Sequence, residues 1–379
     1  MSAGNRSEQT WAVIAGGGTA GHLMPGLAVA RALVERGHDT SSIHFVGASR
    51  GLEAELVPEA GFDITLLPGR GIQRRLTLDN VAAIAGLIRA LLDSILLVRR
   101  RRPAVVVALG GFASAACALA AVLWRVPLVL MEQNARAGAS NRLVARFAKA
   151  CAVPFPETDL PRTVVTGNPV RDEVLAVAAD RDVAASRARL GVDPDCTMVL
   201  VFAGSLGSRR INEATFAAAR ALSHRSDLAI RHVIGARDWD DREQVVTDGL
   251  DYTQVRYEHD MATALAAADL AVCRSGGTTV AELAVIGVAS ILVPLPIATR
   301  DHQRANAQPL VRAGAAVLVP DDELDDSRLL AELTAIVDAA PVDGVPRAAA
   351  MSAAARSLGH PDAASDVADL VESNASRPS

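Results

Sequence analysis

Aromatic residues make up only 3% of this 379-residue chain, and its four cysteines (Cys117, Cys151, Cys196, Cys273) include no C-x-x-C pair. That spacing suggests neither a disulfide framework nor a cysteine zinc site, and it fits a reducing, cytoplasmic setting. A basic balance is missing too. The formal net charge is −5, which argues against a general nucleic-acid binder. No long apolar run is present: the most apolar segment, Val81 to Val98, contains Arg89, Asp93 and Ser94, whereas a spanning helix needs ~20 largely uninterrupted apolar residues. The opening MSAGNRSEQT is polar and the apolar stretch after it breaks at glycines, so no secretory signal peptide is expected. Two D-x-D strings, at Asp193–Asp195 and Asp238–Asp240, sit in polar, turn-like sequence, so no metal site is expected from them. G-x-S-x-G does not occur.

What is present is alternation. Half the residues are hydrophobic, and short apolar runs alternate with helical patterns from end to end. The strand-like runs are Trp11–Ala15, Ile43–Val46, Ala104–Leu109, Leu128–Met131 and Val164–Thr166, then Met198–Ala203, Arg231–Ile234, Leu270–Cys273 and Ser290–Val293. Strands separated by helix-length segments imply βαβ units and buried parallel sheets, hence an α/β fold. The two halves begin alike, AVIAGGGTAG and MVLVFAGSLGS, as if one Rossmann-like unit were used twice. The seam is expected near TGNPVRDEV, where Asn168-Pro169 breaks the pattern. The expected domains are 1–168, 169–350, and a C-terminal segment 351–379 with a helix near His360–Val371 and a polar tail.

By letter, Gly16, Gly18 and Gly21 match G-x-G-x-x-G. A dinucleotide site also needs an acid at the end of the second strand, and that strand runs into Gly47, Ala48 and Ser49. Glycines at a helix N-terminus still suit other phosphate-bearing ligands. His22 falls in the first helical turn beside Pro25, where the positive helix end favours a neutral, proton-accepting imidazole; a histidine that merely caps the turn is the alternative. In CRSGGTTVAEL (Cys273–Leu283) a strand meets Gly276-Gly277, and a helix begins at Thr278 or Thr279. Glu282 lies three and four residues beyond those threonines, on one helical face. Amides for a diphosphate and a carboxylate for ribose hydroxyls need that arrangement. The turn Gly204–Ser208, taken alone, reads as structural.

GGGTAGHLMPGLAVA, ALGGFAS, MEQNARAGASNR, TGNPVR, GSLGSRRIN, YEHDMATALAAADLAVCRSGGTTVAE and DHQRANAQPL, in that order, resemble the motif series of the MurG family, glycosyltransferase family 28. Its members are bacterial UDP-N-acetylglucosamine transferases that complete the lipid-linked peptidoglycan precursor. The resemblance spans essentially the whole chain and implies a GT-B fold, two Rossmann-like domains with parallel sheets facing across a cleft. It implies inverting transfer of GlcNAc from UDP-GlcNAc, with no cofactor and no metal, to the 4-hydroxyl of the MurNAc unit of a polyprenyl-diphosphate-linked MurNAc-pentapeptide. Carried over by position, Thr19, Ala20 and Gly21 meet donor sugar and phosphates, and Asn134 and Arg171 also contact the donor. Ser205 meets the diphosphate, the backbone at Glu258 the uracil, and Gly277, Thr278, Thr279, Val280, Ala281 and Glu282 the phosphates and ribose. Gln303 meets the sugar hydroxyls, and His22 is the general-base candidate. A transferase with another acceptor, or a non-transferase such as a UDP-GlcNAc epimerase, are the competing expectations.

The chain departs from the family at Ala20, where glycine is usual, and at Leu206, where a polar residue stands. It departs also at Met131 and Ala135 in the HEQNG-like motif, at Glu258 and at His302. A lipid-linked acceptor implies a membrane surface. Ile84, Leu87, Ile88, Leu91, Leu92 and Ile95 share a helical face with Arg89 and Asp93 opposite, and Arg70, Arg74, Arg75 and the run through Arg99 and Arg100 to Arg102 flank it. An apolar stripe among arginines is expected to dock on anionic lipid at the cytoplasmic face of the plasma membrane; a helix packed on the sheet is the alternative. Cell-wall synthesis proteins are further possible partners.

Overall fold

The computed structural model describes residues 10–17, 20–49, 51–68 and 79–376, without the side chains of residues 20 and 79–85. They form two compact units, Met1–Arg171 with Pro361–Ser379, and Asp172–His360.

The first unit contains β1 (Ala12–Gly16), α1 (Ala20–Glu35), β2 (Ile43–Ala48), α2 (Glu53–Glu59), β3 (Asp63–Leu67), α3 (Asp79–Arg101), β4 (Val105–Gly110), α4 (Gly111–Leu123), β5 (Leu128–Met131), α5 (Ala139–Val144), β6 (Ala150–Val153) and β7 (Thr163–Val165). Its sheet runs β3-β2-β1-β4-β5-β6-β7, every pair parallel. The central strands are buried throughout because helices cover both faces.

The second unit contains α6 (Asp172–Ala179), α7 (Val183–Leu190), β8 (Thr197–Phe202), α8 (Arg209–Ala221), β9 (Leu228–Val233), β10 (Asp251–Val255), α9 (Met261–Ala267), β11 (Leu270–Cys273), α10 (Gly277–Ile286), β12 (Ala289–Leu292), α11 (His302–Arg312), β13 (Ala316–Leu318), α12 (Asp326–Val337) and α13 (Arg347–Arg356). Its order is β10-β9-β8-β11-β12-β13, again all parallel. Both halves are thus doubly wound α/β sheets.

The chain passes to the second unit after Arg171 and returns at Pro361. Residues 351–360 therefore pack with the second unit, where Met351 joins the core, and α14 (Ala363–Asn374) packs in the first. Val367, Ala368 and Val371 of α14 enter the first unit's core. Arg36 fastens it to Asp369 at 2.6 Å and Glu372 at 3.1 Å, and His38 to Glu372 at 2.9 Å.

Strands β3, β6, β10 and β13 are absent from the strand pattern read in the sequence. Three of them are sheet edges with partly exposed or very short sequences, and the fourth, ACAV, is four small residues. Edge strands lack the continuous apolar signal that burial on both faces imposes.

In each sheet the strand order reverses once, between β1 and β4 and between β8 and β11. Ligand crevices in open α/β sheets lie at the carboxyl ends of strands at such points. Those four strand ends carry the glycine-rich turns.

Candidate active site

In the first unit, the turns after β1 and β4 are pressed together. A Cβ on Gly111 (φ +85°) would lie 2.7 Å from the carbonyl oxygen of Gly17, and one on Gly110 (φ +111°) would lie 2.9 Å from both Cδ2 and Nε2 of His22. Only glycine fits either position. His22 is the third residue of α1, half-buried, with its ring edge against Gly110. Pro25, the sixth, lacks the N–H that would bond the Gly21 carbonyl. Gly16 and Gly26 provide close helix–strand packing: both lie against Leu109, where a Cβ would overlap it.

The loop after β5 is built around one buried carboxylate. Glu132 Oε1 accepts from the N–H groups of Gln133 and Asn134 at 3.1 Å each and from Asn134 Nδ2 at 3.2 Å. Its Oε2 accepts from Gly138 N–H and Asn141 Nδ2 at 3.0 Å each. A carboxylate accepting so many bonds fixes the loop, and with it Asn134. Gln133 Oε1 and Asn141 Oδ1 are buried and accept from no donor among the described residues. A second buried carboxylate, Glu53 at the start of α2, accepts from Ala48 N–H at 3.0 Å and fills the space beside Gly17 and Gly51.

In the second unit, α10 starts at Gly277, one residue before the expected Thr278, and no side chain caps it. Its first-turn amides remain available to an anion. Thr278 and Thr279 on that turn, and Glu282 on the next, are half-buried. Val280 instead turns its side chain into the core, and its N–H bonds Gly276 O at 2.9 Å. Arg274, next to the turn, is fully engaged: it holds Asp321 at 2.6 Å, Ser208 Oγ at 2.7 Å and the carbonyls of Val293 and Pro294.

The turn 204–207 lies on the loop after β9. Ala236 N–H donates to Ser205 O at 3.0 Å, and Gly207 and Gly235 approach too closely for side chains. Ser205 is exposed and Leu206 is 64% exposed. Below it, buried His232 bonds Tyr252 at 2.8 Å and Asn212 at 3.0 Å, while Asn212 reaches Ile234 O and Asp238. Burial pushes the His232 imidazole down to about 3. Glu258, after β10, is buried in an ion pair of 2.6 Å with Arg231 and accepts from Asp260 N–H at 3.1 Å. Gln303 Oε1 accepts from Leu295 N–H at 2.9 Å, leaving its amide N–H groups as donors, and Ser275 Oγ donates to its carbonyl.

In the first unit Gly21 and His22 lie in the first turn of α1 and Asn134 on the loop after β5, with Arg171 just before the chain crosses to the second unit; in the second unit Ser205 follows β8, Glu258 follows β10, Gly277–Glu282 open α10, and Gln303 is tied by its carbonyl to Ser275, beside that turn. Thr19, Arg70, Arg74 and Arg75 lie outside the described residues, as do the side chains of Ala20 and Ile84. On α3, Ile88, Leu92 and Leu96 are 56%, 55% and 45% exposed, while Leu91 and Ile95 are half-buried. The solvent-facing ridge is thus narrower than the stripe read in the sequence, because small Ala90 and Ser94 turn inward against α4. Arg89 and Asp93 flank it, 3.9 Å apart. Arg99 and Arg100 are exposed. Sequence reasoning missed Glu53, Glu132, Asn141, Arg231 and Arg274. Glu132 and Asn141 stood within a quoted motif, and a lone acid directly after a buried strand was the available signal.

Two family descriptions match the chain: the glycosyltransferase family 28 N-terminal domain over residues 12–153 and the glycosyltransferase family 28 C-terminal domain over residues 198–367. The chain is similar to the UDP-N-acetylglucosamine--N-acetylmuramyl-(pentapeptide) pyrophosphoryl-undecaprenol N-acetylglucosamine transferase of Desulforudis audaxviator, 38% identical over 373 residues, 95% of this chain and 97% of the relative. Among solved structures it resembles Acinetobacter baumannii MurG, with a TM-score of 0.77 and 27% identity over 96% of this chain and 99% of that one. It also resembles a putative UDP-N-acetylglucosamine 2-epimerase from Listeria monocytogenes, with a TM-score of 0.70 over 98% and 100% of the two chains. At 16% identity the latter is a likeness of fold alone.

Proposed function

We propose that this chain, which belongs to glycosyltransferase family 28, transfers GlcNAc from UDP-GlcNAc to the 4-hydroxyl of the MurNAc unit of undecaprenyl-diphosphate-linked MurNAc-pentapeptide, the step from lipid I to lipid II of peptidoglycan synthesis. The observation that carries this reading is the 38% identity with a transferase of that name across 95% of the chain. The acceptor hydroxyl attacks the anomeric carbon as its proton passes to His22, and UDP leaves from the opposite face with the electrons of the broken bond. Charge growing on the diphosphate meets the amides at the start of α10, which are aimed before the reaction and stabilise it without a metal or other cofactor.

In this reading Thr19, Ala20 and Gly21 lie at the donor sugar and phosphates, and Asn134 and Arg171 contact the donor. Ser205 meets the diphosphate, the main chain at Glu258 the uracil, Thr278, Thr279 and Glu282 the phosphates and ribose, and Gln303 the sugar. Gly277 acts through its N–H, and Val280 and Ala281 shape the turn. Glu132 supports the reading by holding Asn134 in one geometry.

The enzyme works as a peripheral protein on the cytoplasmic face of the plasma membrane. No described helix is long and apolar enough to cross a membrane, and the exposed ridge Ile88, Leu92 and Leu96 ends at Arg99 and Arg100. Such a ridge suits an anionic lipid surface. Cell-wall synthesis proteins are natural neighbours there.

The test is incubation with radiolabelled UDP-GlcNAc and a lipid-linked muramoyl pentapeptide, scored for organic-extractable label. Label should move into the lipid phase only when the acceptor is present. No transfer and no UDP release would refute the assignment.

A further inference from the structure

At the N-terminal edge of the first unit's sheet, the edge away from the glycine turns, lies a hollow of about 470 Å³ walled by Arg99, Arg102, Trp124, Arg125 and Ser376. Its floor includes Pro103 and Pro127, which lead into β4 and β5. Arg36, Arg187, Arg225, Arg231 and Arg274 each hold a carboxylate, and Arg101, beside the hollow, donates to Thr10. Arg99, Arg102 and Arg125 pair with no carboxylate among the described residues. Arg99 lies over the Trp124 ring at 5.4 Å, and that ring is pinned by its Nε1–H to Ile95 O at 3.1 Å.

The backbone adds an independent observation. Arg102 (φ +45°) and Arg125 (φ +56°) both occupy the left-handed position that ends a helix. Arg102 N–H reaches Val98 O at 2.9 Å; Arg125 N–H reaches Val122 O at 3.2 Å, and Val126 N–H reaches Ala121 O at 2.9 Å. Glycine is the usual residue there, since a Cβ disfavours this conformation. Both arginines in these positions line the one hollow. The carboxyl-end dipoles of α3 and α4 attract cations, but a dipole is satisfied by a side chain anywhere around the helix end. It does not explain three arginines lining one hollow with no carboxylate partner among the described residues.

We propose that this hollow binds a phosphate group, held by Arg102 and Arg125 against a wall of Arg99 and Trp124. Guanidinium groups match phosphate oxygens in fork geometry. The phosphate of an anionic phospholipid and free inorganic phosphate offer the same chemistry. The ridge Ile88, Leu92 and Leu96 runs along α3 toward Arg99, which favours the lipid headgroup. That choice of source rests on the membrane reading above; the phosphate site does not.

The experiment uses the full chain and two readouts. Inorganic phosphate is titrated against the indole N–H resonance of Trp124, assigned with W124F, and vesicles of phosphatidylcholine with or without phosphatidylglycerol are sedimented with the protein. Wild type should show a saturable Trp124 shift. R102G/R125G should melt no lower than wild type, because glycine relieves the left-handed strain, yet lose the shift and about tenfold of its vesicle affinity. R347Q, at an exposed arginine of the second unit, should keep both. Loss of the shift with vesicle binding unchanged upholds the site and identifies free phosphate as its source. Absence of a saturable shift in wild type, or equal losses in R347Q and R102G/R125G, overturns the site. Failure of wild type to bind phosphatidylglycerol contradicts the membrane reading alone, since the phosphate titration contains no lipid.

Discussion

The two units solve one problem, a strand entering a tight turn and then a helix, with opposite charges behind the turn. In the first unit the turns rest on buried carboxylates: Glu53 takes an N–H from the end of β2, and Glu132 takes three from its own loop. In the second unit the supports are guanidinium groups, Arg274 tying Asp321 to the turn 204–208 and Arg231 holding Glu258. A carboxylate absorbs loop N–H donors and works against an anion. A guanidinium absorbs carbonyls and leaves the amides of α10 open. In the proposed reading, the first unit presents the acceptor hydroxyl to the His22 imidazole and the second carries most of the contacts to the nucleotide diphosphate.

The sharpest way to break that contrast is His22→Ala. Loss of a general base is expected to lower kcat by about 10²–10⁴ while KM for UDP-GlcNAc changes little; parallel losses in both would make His22 a structural residue. Arg231→Ala comes next, stranding the buried Glu258 carboxylate, and is expected to cost about 3 kcal/mol in urea unfolding with a raised KM for the donor. An unchanged KM would detach the main chain at Glu258 from uracil binding. Glu132→Gln keeps the shape but exchanges an acceptor oxygen for a donor facing other donors. About 2 kcal/mol of stability should go, together with a raised donor KM, because Glu132 holds Asn134.

Acid should act on both units. Burial pushes His232 down to about 3, and burial with the nearby Arg101 charge pushes His44 down to about 4. Both folded values lie below the ordinary value of about 6.5, so these rings contribute stability that is complete above that pH and lost as pH falls toward 4 and then 3. The urea midpoint should drop between pH 7 and 4, and His232→Gln should flatten the slope; a midpoint constant over that window contradicts the account. Leu206→Gln, at an exposed position, should change donor KM by no more than about twofold. A larger gain in affinity would show that the departure at Leu206 reshapes the sugar pocket.

The doubled architecture was legible because buried parallel strands such as VVVALG and LAVC are apolar on both faces. The glycine turns were legible because only glycine permits the observed approaches at Gly110, Gly111 and Gly207. The edge strands β3, β10 and β13 escaped because they are only partly buried or very short. The supports escaped for another reason. Glu53 looks like any acid in the sequence, and beyond its place directly after β5 nothing but burial against loop amides distinguishes Glu132. Likewise the stripe on α3 showed its apolar residues but not which of them α4 would cover.

The division of labour is tested most directly by calorimetric titration of UDP into two variants of the full chain, His22→Ala and Thr278→Val/Glu282→Gln. The account predicts near wild-type UDP affinity in the first and a loss of about tenfold or more in the second. Equal losses in the two variants, or a loss confined to His22→Ala, would contradict it.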